Sequence, residues 1–99
     1  FYEMAQSLAV RVLRPQRWSD KERVNHAFQL CLSRRPTSAE RGRLLQYLDG
    51  QHKLLAADAE SVKKILGTWA DKENDPTNQA AWTNLCSVLL NLHEFITRD

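Results

Sequence analysis

Asn78 to Thr97 reads NQAAWTNLCSVLLNLHEFIT, and this stretch decides the fold. Trp82, Leu85, Leu89, Leu92 and Ile96 recur at spacings of three and four, the period of a helix with one apolar stripe. Ala81, Cys86, Val88, Leu90 and Phe95 widen the stripe until little of the middle stays polar. A helix apolar over so much of its circumference must be covered on more than one side. It is predicted to sit at the centre of a bundle.

The segments before it supply the cover. Asp75-Pro76 offers an N-cap and a proline for the first turn of this helix, with Asn78 as the alternative start. Trp69, Ala70 and the polar run Asp71 to Asn74 read as a loop. At Asp58-Ala59-Glu60 either the preceding helix continues or a short separate one begins, carrying Val62, Ile65 and Leu66 and closed by Gly67. Ser38 to Ala57 is a third helix with Leu44, Leu45, Tyr47, Leu48 and Leu55; Gly42 and Gly50 weaken it by ~1 kcal/mol each relative to alanine. Asp20 to Ser33 is a second, burying Val24, Ala27, Phe28 and Cys31, with Leu32 at the margin of that face. Glu3 to Arg14 is the first, with Met4, Ala5, Leu8, Ala9 and Val12 as its apolar face and Pro15 ending it. Ser19-Asp20-Lys21-Glu22 and Thr37-Ser38-Ala39-Glu40 are both capping boxes, which start the second and third helices sharply. The fold class expected is all-α, a compact bundle of four main helices, with a short fifth near residues 60–66, around the apolar C-terminal one.

Ninety-nine residues make one domain, able to bury a single core. An apolar share of 42% with 26% charged is that of a globular chain rather than a disordered one. No apolar run reaches the ~18–20 residues of a membrane span, and Glu3 and Gln6 interrupt any signal-peptide core. A first residue other than Met, inside a helical pattern, predicts a piece of a larger polypeptide. Cys31 and Cys86 fall on core faces of different helices and are expected as buried free thiols; a disulfide requires their Cα atoms within about 7 Å.

Charge is unevenly placed. Residues 1–43 hold nine Arg/Lys and four Asp/Glu, net +5, whereas residues 44–99 hold five and eight, net −3. A basic half of this kind is a solvated face, a docking surface for an acidic partner, or a nucleic-acid footprint. The nucleic-acid version is a helix-turn-helix in which Ser38, Arg41 and Arg43 face bases while Arg34 and Arg35 hold phosphates, with Glu40 an awkward neighbour for phosphate. Candidate interaction residues are therefore Arg34, Arg35, Arg41 and Arg43, together with Trp69, a hot-spot residue type in a loop. Catalytic chemistry finds no support. His26, His52 and His93 lie on three helices without HxxxH or CxxC pairing, the carboxylates show no paired spacing, and no phosphate-binding glycine loop or haem motif occurs. The expectation is a non-enzyme with no metal and no cofactor.

Three stretches, VNHAFQLCLSRRPTSAERGRLLQYL from Val24, the Ala81-Trp82 pair and LLNLHEFITRD from Leu89, resemble the C-terminal part of a planctomycete-specific domain of unknown function. The pattern "AF…L.R.PT..E" falls on Ala27, Phe28, Leu32, Arg34, Pro36, Thr37 and Glu40. The pattern "W..L…LLN..EF" falls on Trp82, Leu85, Leu89, Leu90, Asn91, Glu94 and Phe95. The resemblance implies a large secreted parent protein, often with a planctomycete cytochrome-c-like domain beside it, and hence an extracytoplasmic address. It brings no catalytic residue. Helix stop, capping box and core explain most of the pattern; Asn91 and Glu94 are left over, and Arg34 with Glu94 is the expected structural polar pair. The function expected is a structural or protein-interaction module, contacting other domains of its own chain or a protein partner, with helix-turn-helix nucleic-acid binding as the alternative.

Overall fold

The computed structural model describes the backbone of residues 2–96 and the side chains of residues 2–92. Five helices follow one another: α1 (Tyr2–Leu13), α2 (Asp20–Leu32), α3 (Ser38–Ala56), α4 (Ala59–Leu66) and α5 (Pro76–Ile96), with a 3-10 turn at Gly67–Trp69 between the last two. Among the described residues there is no strand, and no helix is long and apolar enough to cross a membrane. α5 packs against α1, α2, α3 and α4, so the central helix read from the sequence is central in the bundle.

Local chemistry sets each boundary. Ser19 Oγ accepts from the Glu22 amide at 3.2 Å while Glu22 Oε1 accepts from the Ser19 amide at 3.1 Å. The Thr37–Glu40 box repeats this at 3.1 and 2.8 Å. Each box satisfies two donors that a helix start otherwise leaves without partners. α2 ends on Ser33 in the left-handed region, φ 58°, whose amide donates to Gln29 O. At Asp58 the open alternative resolves into a separate helix. Its carboxylate accepts from both the amide and the hydroxyl of Ser61, capping α4 afresh. Asp75 Oδ2 accepts from the Asn78 amide and so starts α5 at Pro76.

The core gathers Val24, Ala27 and Phe28 of α2, Leu44, Leu48 and Leu55 of α3, and Val62 and Leu66 of α4 around Trp82, Leu85, Cys86 and Leu89 of α5. Trp82 is wholly buried and, among the described residues, its Nε1–H has no protein partner, a cost outweighed by the apolar area of the ring.

Three expectations change. The buried arc of α1 is Ala5, Gln6, Ala9, Val12 and Leu13, and Met4 is 60% exposed rather than part of the core face. Alanines at positions 5 and 9 let α1 approach α5 closely, which turns the larger Met4 outward. Leu92 is 41% exposed rather than part of the buried stripe of α5. Trp69, expected in a loop, ends a 3-10 turn over residues 67–69; Gly67 closes α4 as the sequence indicates, at φ 53° and ψ −128°, a conformation that L residues avoid.

Candidate functional site

The four arginines do not form one cationic surface. Arg34 places Nη1 and Nη2 on Glu40 Oε1 and Oε2 at 2.9 and 2.8 Å, a two-point fork, and donates to Arg35 O at 3.1 Å. Its guanidinium also lies 4.9 Å from the centroid of the Phe28 ring. This fork, with the Thr37 amide, draws the Glu40 carboxyl down to about 2. Arg34 is thus a lock on the α2–α3 turn. Arg41 folds back toward Asn25 Oδ1 at 3.5 Å. Arg35 and Arg43 are exposed, with no ion pair among the described residues. The expected Arg34–Glu94 pair involves a side chain outside the described residues, and Asn91 is exposed on α5.

Trp69 instead belongs to a groove. An open, mostly apolar trough of ≈ 600 Å³ runs beside α1, with Met4 and Leu8 on one wall, Leu30 and Cys31 of α2 on the other, and Trp69 and Leu90 completing it. Glu3, Ser7, Arg11 and Ser33 also line it. Met4, Leu30 and Trp69 are 60%, 44% and 37% exposed, so three large apolar side chains face water together. An exposed apolar patch of this kind is the feature of the described surface that most calls for an explanation.

Two buried glutamines hold Trp69 in place. Gln79 of α5 donates from Nε2 to Trp69 O at 2.6 Å and accepts at Oε1 from the Asp71 amide at 3.0 Å. Gln6 of α1 donates to Ile65 O at 2.7 Å, tying the end of α4 to α1. The 3-10 turn is thereby tied to α5 through Trp69 O, and the end of α4 that precedes it is tied to α1.

The thiols are poor nucleophiles here. Burial pushes the Cys31 thiol up, and burial pushes Cys86 up much further, with Cys31 nearby adding to the effect. A second cavity, ≈ 390 Å³, lies between the end of α3, α4 and the start of α5; among the described residues Lys63 is the one charged side chain in its lining. His26 meets Trp18 edge to face at 4.8 Å, and His52 Nε2 bonds Asn78 Oδ1 at 2.6 Å. Among the described residues no three His, Cys, Asp or Glu side chains are placed to hold a metal.

Sequence reasoning located Trp69 but missed Met4, Leu8, Leu30, Glu3 and Arg11 as its neighbours. The signal was an excess: α1 carries Met4, Ala5, Leu8, Ala9, Val10, Val12 and Leu13, more apolar residues than one buried arc of a surface helix takes up. Comparison with protein-family models, curated proteins and solved structures gives no match.

Proposed function

We propose that this chain is a non-catalytic protein-interaction module that docks through the groove between α1, α2 and Trp69. The observation that carries this reading is the joint exposure of Met4, Leu30 and Trp69 around one apolar trough, on a backbone tied down by Gln6 and Gln79. Rigid presentation matters because ordering a loop at the moment of binding subtracts from affinity. The groove is open and mostly apolar, which favours a protein surface over a small molecule whose orientation converging polar groups must fix. Glu3 and Arg11 add one charge of each sign to the groove's lining. The resemblance to a secreted domain supports a setting in a larger extracytoplasmic protein.

The test is site-specific photo-crosslinking from positions 4, 30 and 69, with exposed Leu54 on α3 as control. One protein, identified by mass spectrometry, is expected from all three groove positions and not from the control. Its binding to the purified chain should weaken roughly tenfold or more with Leu30→Glu, the loss of one anchor contact. Equal adduct formation from position 54, or indifference to Leu30→Glu, refutes the reading.

A further inference from the structure

The geometry points to a second copy of this chain as the occupant of that surface: two molecules pair through antiparallel α1 helices about a two-fold axis at Ser7. This inference rests on the interaction-module reading and names its partner.

The outer side of α1 is self-complementary about Ser7. Glu3 lies four residues before it and Arg11 four residues after; Met4 lies three before and Val10 three after. Glu3, Met4, Ser7 and Arg11 are exposed and Val10 is half-buried. A two-fold axis at Ser7 brings Glu3 of each copy level with Arg11 of the other, at both ends of a seam about 12 Å long, eight residues at 1.5 Å each. It also brings Met4 level with Val10. Parallel pairing would instead set Glu3 against Glu3 and Arg11 against Arg11, which charge forbids. Neither Glu3 nor Arg11 makes an ion pair within the chain among the described residues. The small Ser7 side chain on the axis leaves room for close helix approach.

The groove fits the same arrangement. Met4, Leu8 and the trough lie on one flank of the line Glu3–Ser7–Arg11. A two-fold axis perpendicular to the helix places both troughs on the same side of the seam. Each exposed Met4 can then enter the trough of the other copy, where its unbranched thioether adapts to Leu8, Leu30 and Trp69. A seam of one 12-residue helix and its groove is at the small end of stable interfaces, so the dimer is expected to dissociate at micromolar concentrations.

Sedimentation velocity of the whole chain from about 1 to about 300 μM reads the equilibrium directly. Glu3→Arg and Arg11→Glu are each expected to raise the dissociation constant about tenfold or more, because two favourable rim pairs become two repulsive ones. An equimolar mixture of the two variants is expected to recover a heterodimer within about threefold of the parent affinity, since each copy then carries the charge the other lacks. Both positions are exposed, and unchanged circular dichroism confirms that the variants fold. A chain that stays monomeric, a dimer indifferent to either reversal, or a mixture that fails to recover overturns the inference. If the chain is monomeric while positions 4, 30 and 69 crosslink to one different protein, the second copy is ruled out and the interaction module stands. If those positions capture no protein at all and the chain is monomeric, both fall.

Discussion

Gln79→Met tests how the Trp69 turn is held. Gln79 is fully buried on α5, and its amide makes two hydrogen bonds to the connector, at 2.6 Å to Trp69 O and 3.0 Å from the Asp71 amide. Methionine keeps the length and flexibility of the side chain and removes only the polar atoms. Each such bond contributes a net ~0.5–1.5 kcal/mol, and a partly buried carbonyl or amide left without a partner adds to the loss. The sum is about 2–3 kcal/mol, a large share of the stability of a domain this size. In urea that moves the unfolding midpoint down by roughly 1.5–2 M, with the slope unchanged.

A local signature separates this account from general loosening. Asp71 Oδ1 accepts from the Glu73 amide, and Asp71 O accepts from the Asn74 amide, so Gln79 organises the connector through Asp71. In Gln79→Met the Asp71 amide should exchange hydrogen at the rate of an open loop, while amides in the middle of α3 slow or quicken only with global stability. A midpoint within about 0.3 M of the parent would refute the reasoning. So would an Asp71 amide as protected as before.

Three further outcomes follow from single residues. Glu40, drawn down to about 2 first by the Arg34 hydrogen bonds and then by the Thr37 amide, contributes stability that is complete above its unfolded value near 4.5 and disappears as pH falls toward 2; urea midpoints of Glu40→Gln should therefore lack the acid slope the parent shows across that window. Gly42 and Gly50 sit inside α3 with nothing within 4 Å of an added Cβ, so Gly42→Ala and Gly50→Ala should each raise stability by about 0.5–1 kcal/mol in thermal or urea unfolding. Ser33 holds φ 58° and ψ 25° at the end of α2, and Ser33→Gly should relieve the left-handed strain and add about 0.5–1 kcal/mol by the same assay.

Much of the architecture was legible because it depends on periodicity and caps, which are local. The stripe Trp82–Leu85–Leu89, the capping boxes at Ser19 and Thr37, and the stop at Pro15 each act within a few residues, and each appears where the pattern puts it. Met4 was misplaced because periodicity gives a face but not its width. Ala5 and Ala9 fit against α5 only if α1 rotates its larger side chains outward, and that choice is made by the neighbour. Gln79 and Gln6 were invisible for a related reason. A glutamine is ordinarily a surface residue, and its use as a clamp depends on carbonyls 10 and 59 positions away that tertiary packing brings into reach.

The same distinction separates the two halves of the candidate site. The arginines were selected by sequence because charge is visible in a sequence, yet the strongest of their contacts, Arg34 on Glu40 and over Phe28, stabilises the α2–α3 turn. A guanidinium engaged in a two-point fork and stacked on a ring must give up both to bind a phosphate, so its presence in a basic half adds less to nucleic-acid affinity than its charge implies. The groove has the opposite character. No single residue in it is unusual, and it exists because α1 buries its small side chains, leaving Met4 and Leu8 beside Leu30 and the indole of Trp69. A globular chain has every physical reason to bury these residues if its own core can accept them. That this one seats Ala5 and Ala9 inside and leaves Met4, Leu30 and Trp69 in water is the reason we propose a protein partner for this surface.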